Sequence, residues 1–139
     1  MPEMQLNQQQ VIQMFQGEQA KLEVIERNRQ ALQNILREQV FAIETLKEVM
    51  KTKEKESLMV PLGAGVYLDV LLKNNSEAKA SITADLIINE KIPKIIEKLE
   101  ARKQDTIEKD KRLIEEHERV FQNIKAIESA LQQASRKKA

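Results

Sequence analysis

The sequence predicts a mainly α fold with a small β unit: a long antiparallel coiled-coil hairpin whose two helices are joined by two central β-hairpins. Three observations predict it. Two long charged segments, residues 7–56 and 92–135, carry apolar side chains at alternating steps of four and three. Between them, residues 57–91 are the one stretch with the period-two alternation of strands. That stretch also holds every glycine but Gly17, every proline but Pro2 once Pro93 at its edge is included, and the single tyrosine, Tyr67.

Composition agrees. At 139 residues the chain is a single unit, with 41% hydrophobic but only 3% aromatic and 32% charged residues. Such a bias suits long solvated helices, not a thick globular core. The chain therefore needs a partner helix, its own or another chain's. The formal net charge is +1 with both signs interspersed, so there is no basic field to bind nucleic acid through phosphates. Arg136-Lys137-Lys138 reads as a solvated tail. The absence of cysteine excludes disulfides, thiol catalysis and cysteine metal sites. With no signal peptide and no apolar run of membrane length, a cytoplasmic, soluble protein is expected, with no membrane partner.

In order along the chain, Met1 to about Asn7 is a polar lead-in, and Gln8-Gln9-Gln10 opens the first helix. Its seam runs Val11, Phe15, Glu18, Leu22, Ile25, Arg29, Leu32, Leu36, Gln39, Ile43, Leu46, Met50, nine of twelve apolar. A helix from near Asn7 to near Lys55 is roughly 70 Å long. Gly17 is its one weakening residue, at a cost of about 1 kcal/mol against Ala. Glu23 and Arg27 add an i,i+4 pair.

The charged run Lys51–Glu56 ends the pattern. Leu58–Leu62 is a short strand, Gly63-Ala64-Gly65 a three-residue turn, and Val66–Leu72 a second strand with Val66, Leu68, Val70 and Leu72 on one apolar face. Pro61 belongs near a strand end or on an edge. Lys73–Glu77 is a loop. A weaker pair follows, Lys79–Thr83 and Leu86–Glu90 around Ala84-Asp85, with Ile82, Leu86 and Ile88 as inward candidates. Two isolated hairpins of this size are marginal in water. Their open edges invite strands of other subunits, which makes them an assembly element. Leu58, Val60, Leu62, Val66, Leu68, Val70, Ile82, Leu86 and Ile88 are its candidate residues.

Pro93 fits the first turn of the second helix, where its missing N–H costs nothing. The second seam is Ile92, Ile96, Leu99, Lys103, Thr106, Asp110, Leu113, His117, Val120, Ile124, Ile127, Leu131, eight of twelve apolar with a polar middle. Asp105/Lys109, Glu108/Arg112 and Glu115/Arg119 are expected to support the exposed face. The simplest arrangement folds one antiparallel coiled coil back on itself, with both chain ends at its far tip.

The run Val60-Pro-Leu-Gly-Ala-Gly-Val-Tyr-Leu-Asp-Val70 resembles that of a prefoldin subunit of the alpha class, archaeal in type. The likeness continues through Ile82-Thr-Ala-Asp-Leu-Ile-Ile-Asn-Glu-Lys91 into the second helix. Two hairpins, where the beta class has one, match the layout. Thr83-Ala-Asp-Leu86 lacks the glycines often found at the second turn, and Pro93 stands where the family usually has a polar residue. The resemblance implies an ATP-independent holdase. In that family two alpha and four beta subunits join their hairpins into a double β-barrel. Coiled-coil tips grip unfolded polypeptides, and clients pass to a group II chaperonin. No cofactor is implied.

At the expected tip, Val11, Ile12, Met14 and Phe15 come near Phe121, Ile124, Ile127 and Leu131. Ile12, Met14 and Phe121 lie outside the seams, and apolar residues left exposed there suit client segments without sequence preference. The competing reading is ordinary seam packing with a frayed end, and for the seam residues packing is the default. His117 reads as a polar coiled-coil layer, shared with Arg29. It is not a metal ligand, because no acidic partners are placed around it. The many carboxylates read as solvating charge, and Gly63-Ala64-Gly65 lacks the Lys-Ser/Thr and helix of a phosphate loop. The chain is not read as an enzyme. The rival to the chaperone is a self-assembling coiled-coil scaffold or filament protein.

Overall fold

The computed structural model describes residues 7–137. The lead-in before Asn7 and Lys138 of the basic run lie outside the described residues. Six elements follow in order: α1 (Gln8–Lys51), β1 (Ser57–Gly63), β2 (Val66–Leu71), β3 (Glu77–Thr83), β4 (Leu86–Lys91) and α2 (Ile92–Lys137). They divide into two compact units. One comprises Met1–Asn34 with Thr106–Ala139, the other Ile35–Asp105. We call them the terminal unit and the hairpin unit.

The terminal unit is two antiparallel helical segments. As α1 numbering rises through Glu18, Glu26 and Arg29, the partners on α2 fall through Asn123, His117 and Asp110. Asn7 starts α1 with a reciprocal cap. Its Oδ1 accepts the Gln10 backbone N–H at 2.8 Å, while Gln10 Oε1 accepts the Asn7 N–H at 3.1 Å. Ile25, Val120 and Ile124 are buried, with Phe15, Leu22 and Leu113 packed against them. The helix continues through Gly17, where an added Cβ meets nothing within 4 Å.

In the hairpin unit α1 stops at Lys51, short of the expected Lys55 to Glu56. Thr52 explains the early stop: its hydroxyl donates to the Glu48 carbonyl at 2.8 Å, and its N–H is shared between the Glu48 and Val49 carbonyls. Lys55 then takes a positive φ of 71° and donates its N–H to the Leu72 carbonyl at 2.7 Å, turning the chain into β1. At the other end, Asn74 Oδ1 accepts from the Ser76 and Glu77 N–H groups, and Ile92 N–H donates to the Ser76 carbonyl. Ile92 is fully buried, with Ile43 and Ile95 also in this unit's core. Ile95 lies outside the expected seam.

β1 pairs antiparallel with β2, and β3 with β4, as separate two-stranded sheets. Gly63 pairs with Val66, so the first turn has two residues, Ala64 and Gly65, not the expected three. Both have positive φ, 53° and 75°, as the primed hairpin turns require. A register shift between Pro61 and Gly63 precedes it. The second turn, Ala84-Asp85, closes the Thr83–Leu86 pair. Among the described residues Lys55 and Ala64 are the only non-glycines with positive φ, so this turn makes no demand for glycine.

Of the seam positions expected from the sequence, only Met50 is exposed; the others are half-buried or buried. The expected pairs Glu23/Arg27, Asp105/Lys109, Glu108/Arg112 and Glu115/Arg119 are not among the ion pairs formed. Lys21–Glu18 and Lys103–Glu100 form on the helix faces instead, and Lys94 pairs with Glu90 at the end of β4. Gln39 on the seam has a buried Oε1 with no hydrogen-bond partner. Two outcomes follow for urea unfolding watched by helical circular dichroism. Ile25→Ala is expected to cost about 3 kcal/mol through lost burial and a cavity. Gln39→Leu is expected to gain about 1 kcal/mol by removing the orphaned acceptor.

Candidate assembly and client-binding surfaces

The hairpins carry their apolar side chains largely uncovered within the subunit. Of the nine expected assembly residues, Leu62, Val66, Leu68, Ile82 and Leu86 are exposed, and Leu58, Val60, Val70 and Ile88 are half-buried. Cross-strand pairing puts Leu58 opposite Val70 and Val60 opposite Leu68, which makes one continuous apolar strip. The opposite face of the first hairpin is largely apolar too, whereas that of the second is polar around a single isoleucine. Met59, Tyr67 and Leu71 are 64%, 59% and 74% exposed, and Ile87 on β4 is 63% exposed. Sequence reasoning had marked one face of each hairpin; the signal for the other lay in these alternate positions. A hairpin apolar on both faces, as the first one is, is what a subunit interface, not a solvated sheet, demands.

Charge pins the second hairpin to α2 within the same unit. Glu90 on β4 accepts from Lys98 at 2.6 Å and lies 3.9 Å from Lys94, while Lys91 Nζ lies 3.1 Å from Glu77 across the β3–β4 pair. Asn75 Nδ2 donates to the Thr52 carbonyl at 3.1 Å, joining the loop before β3 to the end of α1.

In the terminal unit the eight expected client-binding residues divide. Phe15 and Ile124 meet in the core cluster, and Ile124 is buried. A buried side chain has nothing to offer a client, so Ile124 is a packing residue. Val11, Ile127 and Leu131 are half-buried. Ile12, Met14 and Phe121 are exposed. Phe121 stacks on His117 with centroids 6.4 Å apart and lies 4.7 Å below Lys125 Nζ, so its ring is already partly engaged.

The polar layers differ from expectation. Arg29 does not share a layer with His117. Its guanidinium grips Asp110 with two bonds, Nε to Oδ1 at 2.9 Å and Nη2 to Oδ2 at 3.3 Å, and Gln33 Nε2 donates to Oδ2 at 3.3 Å. The Asp110 hydrogen bond raises the guanidinium pKa further above its ordinary range. His117 Nε2 instead faces Glu26 Oε1 at 3.6 Å, an ion pair only when the ring is protonated. The offset comes from the register, which puts these two residues on different levels. Glu18 accepts from Lys21 at 3.0 Å and from Asn123 at 3.2 Å, and these bonds hold its carboxyl below the usual 4.5. Among the described residues no group of three or more His, Cys, Asp or Glu is placed to hold a metal. None of the described helices is long and apolar enough to cross a membrane.

Two measurements test these layers. Asp110→Ala strands Arg29 and Gln33 and is expected to cost about 1–2 kcal/mol, whereas Arg29→Leu with Asp110→Leu is expected to stay within about 1 kcal/mol of the parent. A double variant as unstable as the single contradicts this. For Glu18 the folded pKa is depressed, so its contribution is present above the unfolded value and lost as pH falls through the folded one. The melting-temperature gap between the parent and Glu18→Gln is therefore predicted to close below about pH 4.

Comparison with known proteins agrees with this architecture. Residues 18–137 match the family model described as prefoldin subunit. A prefoldin subunit alpha from Thermofilum pendens (strain DSM 2475 / Hrk 5) is 25% identical over 109 residues, 78% of this chain and 84% of that protein. A filamentous prefoldin from Methanocaldococcus jannaschii, solved by cryo-electron microscopy, superposes with a TM-score of 0.68 at 12% identity, covering 84% of this chain and 97% of that one. That last likeness speaks to the fold. With the family model spanning most of the chain and two hairpins set between two long helices, the chain belongs to the prefoldin family of non-enzymatic chaperones, as a subunit of the alpha type.

Proposed function

We propose that this chain is a holdase subunit that works without ATP. In this reading its hairpins join beta-type prefoldin subunits in a hexamer of two alpha and four beta chains, in the cytoplasm. The chain-end parts of its helices hold unfolded polypeptides and pass them to a group II chaperonin. The observation that carries the reading is the apolar surface left uncovered on both faces of the first hairpin and on one face of the second, in a chain of this family. A holdase needs adaptable apolar surface and no chemistry. Ile12 and Met14 supply it, flanked by half-buried Val11, Ile127 and Leu131. Phe121 adds an aromatic edge.

A second reading has one specific support. The solved prefoldin from Methanocaldococcus jannaschii is filamentous. In a filament, the hairpin edges pair with copies of this chain, and no beta-type partner is needed.

Suppression of client aggregation by the assembled complex tests the client surface. Ile12→Ser with Met14→Ser is expected to leave assembly intact and weaken suppression several-fold, since exposed positions contribute little to folding. Ile124→Ala is expected to lower stability first. Full suppression by the Ile12/Met14 variant would remove these residues from the client surface.

A further inference from the structure

The hairpin unit contains a cleft of about 450 Å³ that the strand-edge account of assembly does not use. One wall is β3, which presents Ala78, Ala80 and Ile82; the opposite walls are α1 at Phe41 and Leu46 and α2 at Leu99. The cleft exists because two alanines face the helices where larger side chains would close the gap. The cleft is open, and Lys79, Lys98 and Arg102 line it beside the apolar side chains. Phe41 is 55% exposed and Ile82 58% exposed. One side is braced by the Lys98–Glu90 ion pair, whose Glu90 side chain is mostly buried.

We infer that this cleft is a socket for an apolar hairpin segment of a neighbouring prefoldin subunit, so that the subunit interface continues from the strands onto α1. The inference rests on the assembly reading above and extends it to helix residues. Three points favour this occupant. The cleft is continuous with the proposed interface, because Ile82 lines the one and belongs to the other. Among the described residues, twelve of the seventeen exposed large hydrophobic side chains lie in this unit, so the cleft opens where apolar partner surface is already required. Its size also matters: a helix with side chains is roughly 10–12 Å across, whereas a cleft of this volume admits only a few aliphatic side chains, as a strand or turn would supply.

The test uses the full chain and the beta-type prefoldin subunit of the same organism, with association followed by sedimentation and native mass spectrometry. Ala80→Leu fills the cleft from β3. It is expected to leave the melting temperature unchanged or raised while weakening association about tenfold or more, the scale of a lost interface anchor. Phe41→Ala removes exposed surface, so it is expected to leave folding nearly unchanged and weaken association several-fold. Parent-like association by both variants overturns the socket while leaving strand assembly standing. If a small apolar molecule travels with the parent chain alone and association ignores both variants, the cleft is a ligand pocket and the socket is wrong. Failure of the parent chain itself to associate overturns the assembly reading and the socket together.

Discussion

A two-stranded sheet has two faces and two free edges, and this chain provides no layer to cover most of either. That constraint governs the hairpin unit. The first hairpin carries apolar side chains on both faces and the second on one face, and many of those side chains stand more than half exposed in the isolated subunit. The cost of leaving such surface in water is about 25 cal/mol for each Å². Within the subunit the unit is held by a small core of Ile43, Ile92 and Ile95 and by the Glu90 ion pairs. The Glu90 pairs fix the second hairpin onto α2 but leave the strand faces open. The fold is therefore complete as a backbone and incomplete as a buried core, which is the physical meaning of calling it a subunit.

The terminal unit solves a different problem with the same helices. A two-helix seam buries one stripe per helix, and here the stripe is Phe15, Leu22, Ile25, Leu113, Val120 and Ile124. Apolar seams slide easily past one another. The Arg29–Asp110–Gln33 layer opposes this, because its three hydrogen bonds have good geometry in only one register. The Glu18–Asn123 bond repeats the constraint nearer the chain ends. Ile12 and Met14 lie beyond that bond and outside the stripe, and each keeps a little under half of its surface exposed, at 43% and 47%.

Periodicity made most of this legible. Steps of four and three marked the helix seams, and only Met50 falls on the exposed side. Alternation and Gly63-Ala64-Gly65 marked the hairpins to within a residue or two. Several of the misses depend on contacts between residues distant in sequence. The end of α1 is set by Thr52 and by Lys55 reaching Leu72, which no local pattern announces. Arg29 was expected beside His117, and the register gives it Asp110 instead. Ile95 is off the seam and buried, because the first turn of α2 packs into the hairpin unit as well as along the helix. The cleft is lined by three segments remote from one another in sequence, so no window of residues could reveal it. For the candidate surfaces, residue types were readable and burial was not: Ile124 and Ile12 look alike in sequence and differ wholly in exposure.

The central claim is that the open hairpins are half of an interface whose other half is a different prefoldin subunit. Native mass of the chain, alone and mixed with the beta-type subunit of the same organism, tests it most directly. The account predicts a discrete particle of two alpha and four beta chains that appears only in the mixture. A monomer or dimer indifferent to that partner would contradict it.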